Sequence, residues 1–275
     1  MKLVNFELEG RTCLGAVKGD AIVEIPLALD DILGRVAEPF HADLETGRRV
    51  MPLGQARLLA PIARPGKIIC VGRNYAAHAR ERGAEVPTQP IFFLKSNNTI
   101  CGPGDAIVLP EVSKQVDYEA ELAVVIGKGG KNIPEDKAYE HVAGYMMLND
   151  VSARDLQSAD KQWFRGKSCD TFAPIGPWIV TKDDIPDPHR LRISLTLNGQ
   201  TMQDSNTGNM SFTIPYLISY LSGTLTWEPG DILSTGTPEG IGASRTPPVF
   251  LKPGDSVSIT VEKIGTLTNP VALSS

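Results

Sequence analysis

Glu119, Glu121 and Asp150 are the side chains in this 275-residue sequence whose type and spacing most directly suggest chemistry. The two glutamates fall in Val-Asp-Tyr-Glu-Ala-Glu-Leu-Ala-Val-Val-Ile-Gly, residues 116–127, a β-strand pattern closed by glycine. Alternation puts Tyr118, Ala120, Leu122 and Val124 on one face, and Glu119, Glu121, Ala123 and Val125 on the other. Both faces continue as apolar, so the strand is expected to be buried on both, with the glutamates pointing inward about 7 Å apart at Cα. Two unpaired like charges in an interior cost several kcal/mol, and a divalent cation offsets that cost. Oxygen-only ligands favour magnesium, manganese or calcium over zinc. The competing reading is a polar-edged strand whose glutamates lie in solvent or on arginine.

A second group is His78 and Glu81. Residues 74–83, Asn-Tyr-Ala-Ala-His-Ala-Arg-Glu-Arg-Gly, read as a helix of about two turns, capped by Asn74 and stopped by glycine. At i and i+3 the two side chains share a face. A carboxylate beside an imidazole fixes its tautomer and raises its basicity, which a general base activating water requires. So short a helix, flanked by Gly72 and Gly83, is suited to ordering when a ligand arrives; otherwise it is a surface helix with an incidental pair. Asp150 precedes Val-Ser-Ala-Arg-Asp, a capping-box pattern that puts it just outside a helix start, although a plain loop aspartate has the same look. Positive charge is available from Lys95, at the end of a strand over 91–94, and from Lys167, both of which are otherwise ordinary solvated lysines. The loop Thr-Gly-Thr-Pro-Glu-Gly at 235–240 suits close backbone approach to an anion but lacks the Lys-Ser/Thr ending of a P-loop. No G-x-S-x-G elbow is present and no cysteine has a histidine partner motif, so acyl-enzyme chemistry is unsupported.

The elements that must hold these groups are mainly strands. With 41% hydrophobic and 21% charged residues the composition is that of an ordinary globular chain able to bury a sizeable core. Lys and Arg number 27 against 32 Asp and Glu, a net charge of -5 with no basic run, so no nucleic-acid partner is expected. The four cysteines are far apart and expected to be reduced. Neither an N-terminal apolar segment nor a long apolar stretch occurs, so no membrane partner is expected and the expected location is cytoplasmic. Two prolines and a glycine at 60–66 mark the best boundary, dividing the chain into a small N-terminal α+β module, 1–64, and a larger unit, 65–275. The module should hold strands around 4–8 and 21–25 and a short helix over 29–36. Beyond it, strands are expected at 67–71, 91–94, 116–127, 178–180, 193–197, 232–234 and 257–261. Asn198-Gly199 predicts a two-residue hairpin turn, and Pro-Gly-Asp recurs at 103, 229 and 253, each time before an apolar run. Helices are expected near 75–82, 153–160 and 215–221, the last with Pro215 at its start. The fold class is therefore α+β, mostly β, with largely antiparallel strands and helices packed on them.

Five stretches of the sequence carry a resemblance. Ile-Cys-Val-Gly-Arg-Asn-Tyr-Ala-Ala-His at 69–78, the glutamate strand, Leu-Asn-Asp-Val-Ser-Ala-Arg-Asp at 148–155, Gly-Lys-Ser-Cys-Asp-Thr-Phe at 166–172 and residues 230–242 together resemble the fumarylacetoacetate hydrolase family, over about residues 66–271. The resemblance implies a mixed β-roll, a homodimer, and a catalytic Mg²⁺ or Mn²⁺, with Ca²⁺ as a stand-in in a crystal, held by Glu119, Glu121 and Asp150. It implies a small anionic 2-oxo or β-diketo acid as substrate, His78 and Glu81 as a catalytic dyad on a lid helix, and roles for Lys95, Lys167 and Thr237; Arg73, Tyr75 and Gln203 line the site by analogy. Cys169 stands where phenylalanine is commoner, a change expected to affect packing alone. The expected reaction is metal-dependent hydrolysis of a carbon–carbon bond in an acylpyruvate-like acid, with His78 as base and Lys167 beside the enolate that develops. The same enolate site would serve a decarboxylase of oxaloacetate or an isomerase or hydratase of hydroxydienedioates, and fold and motif do not choose among them. A non-catalytic protein that binds a 2-oxo acid through a metal is the remoter alternative; it would have no use for the dyad.

Overall fold

The computed structural model describes residues 1–27, 29–33 and 49–274. Its strands form a 12-stranded sheet, a five-stranded sheet and a two-stranded ladder, mostly antiparallel. At the centre of the large sheet is Ala120–Ile126, buried along its whole length. It pairs antiparallel with Val142–Asn149 on one side and Ile232–Ser234 on the other. Ile232–Ser234 then runs parallel to Ile68–Gly72, which pairs with Ile91–Lys95. In the other direction Val142–Asn149 pairs with Ala173–Thr181, and Lys2–Leu8 joins that strand through Lys2↔Val180 and Leu3↔Ile179. The N-terminal strands thus extend the sheet that carries the glutamates.

The expected alternation holds: Tyr118, Ala120, Leu122 and Val124 enter one core cluster, while Ala123 and Val125 enter another with Leu3, Leu14 and Ile25. The single strand expected over 116–127 is in fact broken. Val116–Asp117 pairs with Ser152–Ala153, and regular pairing with Val142–Asn149 resumes at Ala120. At the break the Glu119 N–H donates to Asn149 Oδ1 at 3.0 Å, and its carbonyl accepts from Asp150 N at 2.9 Å. The backbone groups freed by the interruption are therefore satisfied, as burial demands.

The five-stranded sheet orders Gln200–Asn206, Arg192–Leu197, Ser256–Val261, Gly265–Leu273 and Ile107–Leu109. Asn198 and Gly199 both take positive φ, 52° and 81°, as a type I′ hairpin turn requires. The three Pro-Gly-Asp sequences form one repeated turn. Gly104, Gly230 and Gly254 have φ of 79°, 85° and 88°, and Asp105, Asp231 and Asp255 each accept from the backbone N–H three residues earlier at 2.8 Å. Among the helices, Ile214–Ser222 has Pro215 in its first turn and Thr213 as its cap, and buries Ile214, Leu217, Ile218 and Leu221.

Two expected caps do not form. The helix Ala76–Glu81 starts from Tyr75 without a side-chain cap; Asn74 instead donates to the Phe212 and Thr235 carbonyls and accepts from Phe212 N. Ser152 is committed to the short ladder, with its hydroxyl on the Asp150 carbonyl at 2.9 Å, so the helix Arg154–Ala159 begins at Ala153 with no capping box. Of the helix expected over 29–36, Leu29–Leu33 is helical, and 34–36 lie outside the described residues.

Candidate active site

Glu119, Glu121 and Asp150 meet because Ala120 pairs with Asn149: the start of one central strand lies beside the end of its neighbour. One carboxylate oxygen from each residue lies within 4.8 Å of the others. All three are buried, with Glu119 4%, Glu121 1% and Asp150 0% exposed, so the glutamates do not sit in solvent. Glu119 does meet an arginine: its Oε1 accepts from Arg154 at 2.6 Å and its Oε2 from Lys167 at 2.7 Å. Lys167 also donates to Asp150 Oδ2 at 2.6 Å, with its ammonium 4.8 Å from the centre of the Phe93 ring. Lys95 donates to Asp150 Oδ1 at 2.5 Å and to the Val151 carbonyl at 3.1 Å.

Glu121 differs from its two neighbours. Its Oε2 accepts from Ser234 Oγ and from Gly236 N at 2.9 Å, and among the described residues no cation pairs with it. Burial, and then the Asp150 and Glu119 charges, hold its carboxyl well above the usual carboxylate range. Glu119 moves the other way: burial opposes ionisation, but Arg154 and Lys167 outweigh it and keep the carboxyl below that range. Three converging oxygen donors, one of them without a counter-charge, are a donor set that fits a hard divalent cation.

These carboxylates floor a cavity of about 390 Å³, which His78, Lys167, Thr237, Phe93 and Trp163 also line. His78 is buried, with Nδ1 2.8 Å from Glu81 Oε1. The other Glu81 oxygen accepts from Gly240 N at 2.9 Å, so the dyad is fixed to the 235–240 loop. The cavity's open side is marked by its exposed or half-exposed liners Arg73, Arg82 and Lys161.

Seven of the residues singled out in the sequence line one cavity: Arg73, His78, Glu119, Glu121, Asp150, Lys167 and Thr237. The other four stand behind its wall. Glu81 backs His78 and Lys95 backs Asp150. Gln203 accepts from Ala120 N at 2.9 Å and donates to Thr237 Oγ1 and the Pro238 carbonyl at 2.8 Å each, tying the loop to the glutamate strand. Tyr75 is buried with no partner for its hydroxyl among the described residues, and burial, with Glu121 and Glu239, raises its pKa far above the usual phenol range.

Arg154 and Asp117 were not anticipated. Asp117 accepts from Arg154 Nε at 2.9 Å, from Gly242 N at 2.8 Å and from Ala243 N at 3.0 Å. A chain of bonds therefore links Glu119 through Arg154 and Asp117 to Gly242 and Ala243, just beyond the loop that holds Glu81. Their signal was present, since Asp117 lies two residues before Glu119 and Arg154 four after Asp150, but neither position shows which groups would pair.

Known proteins resemble this chain along nearly its whole length. The family model "Fumarylacetoacetate (FAA) hydrolase C-terminal" matches residues 67–272, and the model "Rv2993c-like, N-terminal" matches residues 1–61. The chain is 45% identical over 286 residues to the mitochondrial oxaloacetate tautomerase Fahd2a of Rattus norvegicus, covering 98% of this chain and 91% of that protein. Among solved structures, 2-hydroxyhepta-2,4-diene-1,7-dioate isomerase from Mycobacterium marinum has TM-score 0.81 and 36% identity, covering 100% of this chain and 99% of its own. Maleylpyruvate hydrolase from Sphingobium sp. SYK-6, in complex with manganese(II) and pyruvate, has TM-score 0.82 and 33% identity, with 100% of both chains covered. The protein is thus an enzyme of the fumarylacetoacetate hydrolase family.

Proposed function

We propose that this enzyme interconverts the keto and enol forms of oxaloacetate, using Mg²⁺ or Mn²⁺ held by Glu119, Glu121 and Asp150. The observation that carries this reading is the presence, in one cavity, of three converging carboxylates and a histidine already oriented by its own glutamate. The tautomerase named above, at 45% identity over nearly the whole chain, supports this reaction over the others. When bound, the cation supplies Lewis-acid polarisation of a 2-oxo group and compensates enolate charge.

The chain's own groups do the rest. With Nδ1 on Glu81, the histidine keeps Nε2 for proton transfer; it takes the C3 proton of the keto acid, the C–H electrons form the C2–C3 double bond, the carbonyl π electrons pass to oxygen, and the imidazolium then gives its proton to that oxygen, leaving the enol and a neutral His78. Lys167 uses two of its three N–H donors on Glu119 and Asp150, leaving one for the substrate's oxygen. Thr237, fixed by Gln203, offers a hydroxyl from the wall.

The test is decay of enol absorbance at constant pH, with and without added Mn²⁺, after chelator treatment. Metal-dependent acceleration is expected; a rate equal to buffer overturns the reading. Hydrolysis of acylpyruvates is the second reading, favoured by the same dyad, since a base of this geometry also activates water; release of pyruvate from an acylpyruvate panel tests it. The reading includes the division into a 1–64 module and a 65–275 catalytic unit, a cytoplasmic location, and a homodimer, for which light scattering should give twice the 29.7 kDa chain mass. No helix among the described residues is long and apolar enough to cross a membrane.

A further inference from the structure

The open side of the cavity carries Arg73, Arg82 and Lys161, and none of the three has a carboxylate partner among the described residues. Asp160, next to Lys161, is engaged by both Arg165 Nε and Arg165 Nη2. This contrasts with the floor, where Arg154, Lys95 and Lys167 are all ion-paired. Two of the three free cations also sit on backbone that L-residues adopt at a cost, with φ of 59° at Arg73 and 58° at Lys161.

Arg73 is held further by an aromatic wall. Its guanidinium carbon lies 5.9 Å from the centre of the Trp163 ring, and that ring meets Phe93 edge-on at 5.4 Å. Trp163 can close on this strand because residue 72 is glycine: a Cβ there would lie 2.6 Å from the ring. A guanidinium braced on an indole keeps its fork available for a planar anion at little entropic cost.

We propose that Arg73, Arg82 and Lys161 form a subsite for a second carboxylate, so that the enzyme selects dicarboxylic over monocarboxylic 2-oxo acids. This rests on the reading above, in which the first carboxylate and the 2-oxo oxygen bind at the floor. The distal carboxylate then meets unpaired cations, one of them braced on Trp163, so its binding breaks no existing ion pair and forms charge-assisted hydrogen bonds.

Titration calorimetry on the full-length, Mn²⁺-loaded protein tests this with two unreactive probes sharing one head group: N-oxalylglycine, which has a distal carboxylate, and oxamate, which has none. Wild type should bind N-oxalylglycine at least about ten-fold more tightly. In Arg73→Gln/Arg82→Gln/Lys161→Gln that preference should fall to within about two-fold, with oxamate and Mn²⁺ affinities unchanged, and the exposed single variant Arg82→Gln should lose part of it. Equal binding of the two probes by wild type, or a preference that survives in the triple variant, overturns the subsite alone. Failure of wild type to bind either probe overturns the 2-oxo acid reading, and the subsite with it.

Discussion

The floor and the open side of the cavity treat charge in opposite ways. On the floor, Glu119 and Asp150 share Lys167, Glu119 and Asp117 share Arg154, and Lys95 closes on Asp150, all within a buried network. On the open side, Arg73, Arg82 and Lys161 have no such partners among the described residues. Burial accounts for the difference. An uncompensated charge in the interior costs several kcal/mol, whereas near solvent it costs little and stays available for a ligand. Glu121 breaks the rule, being buried like the floor but unpaired like the open side, and that makes it the carboxylate most in need of a cation.

The largest expected effect comes from that exception. Glu121→Gln should abolish Mn²⁺ binding in calorimetry and reduce oxaloacetate turnover by orders of magnitude, yet leave the metal-free protein as stable as wild type or more so, because burial and the Asp150 and Glu119 charges already disfavour an ionised carboxylate at that position. A large loss of metal-free stability in urea would mean that Glu121 has a counter-charge after all. Next, His78→Ala should keep metal affinity while lowering turnover by about 10²–10⁴-fold; wild-type turnover would remove the dyad from the mechanism. Arg154→Met leaves Glu119 and Asp117 facing an apolar side chain, and should destabilise the fold by about 3–5 kcal/mol as read from urea midpoints. The smallest effect belongs to the open side: Arg82→Gln should change stability by no more than about 0.5 kcal/mol. If Arg154→Met and Arg82→Gln cost the same, the contrast between the two regions is false.

How much of this was legible in the sequence depends on whether the signal was local. The alternation around Glu119 and Glu121, the Asn198-Gly199 turn and the Pro-Gly-Asp turns are set by side-chain direction and by positive φ at named residues, and they appear as read. Val142–Asn149, buried throughout, was not anticipated. Val-Ala-Gly-Tyr-Met-Met-Leu-Asn neither alternates nor is rich in β-branched residues, and a glycine weakens the pattern further. That glycine is there for packing: a Cβ on Gly144 would lie 2.3 Å from the Val180 carbonyl oxygen. Asn74 and Ser152 looked like caps because local chemistry allows it, but partners distant in sequence, Phe212 and Thr235 for one and the ladder to Val116–Asp117 for the other, claimed them instead. Arg154 escaped notice for a related reason: its partners lie 35 and 37 residues away, and no spacing rule reaches that far.

The junction of Lys2–Leu8 with Ala173–Thr181 has a practical consequence for anyone who would trim the chain. Leu3, Leu14, Ile25 and Leu33 share a cluster with Ala123 and Val125, on the strand face that carries Glu121. A fragment beginning at residue 65 would bare the backbone of Ile179 and Val180 as an unprotected sheet edge and wet the back of the glutamate strand. Such an edge is a template for strand-to-strand aggregation. The fragment should therefore be recovered as inclusion bodies or sticky oligomers, although every residue assigned to the chemistry would still be in it.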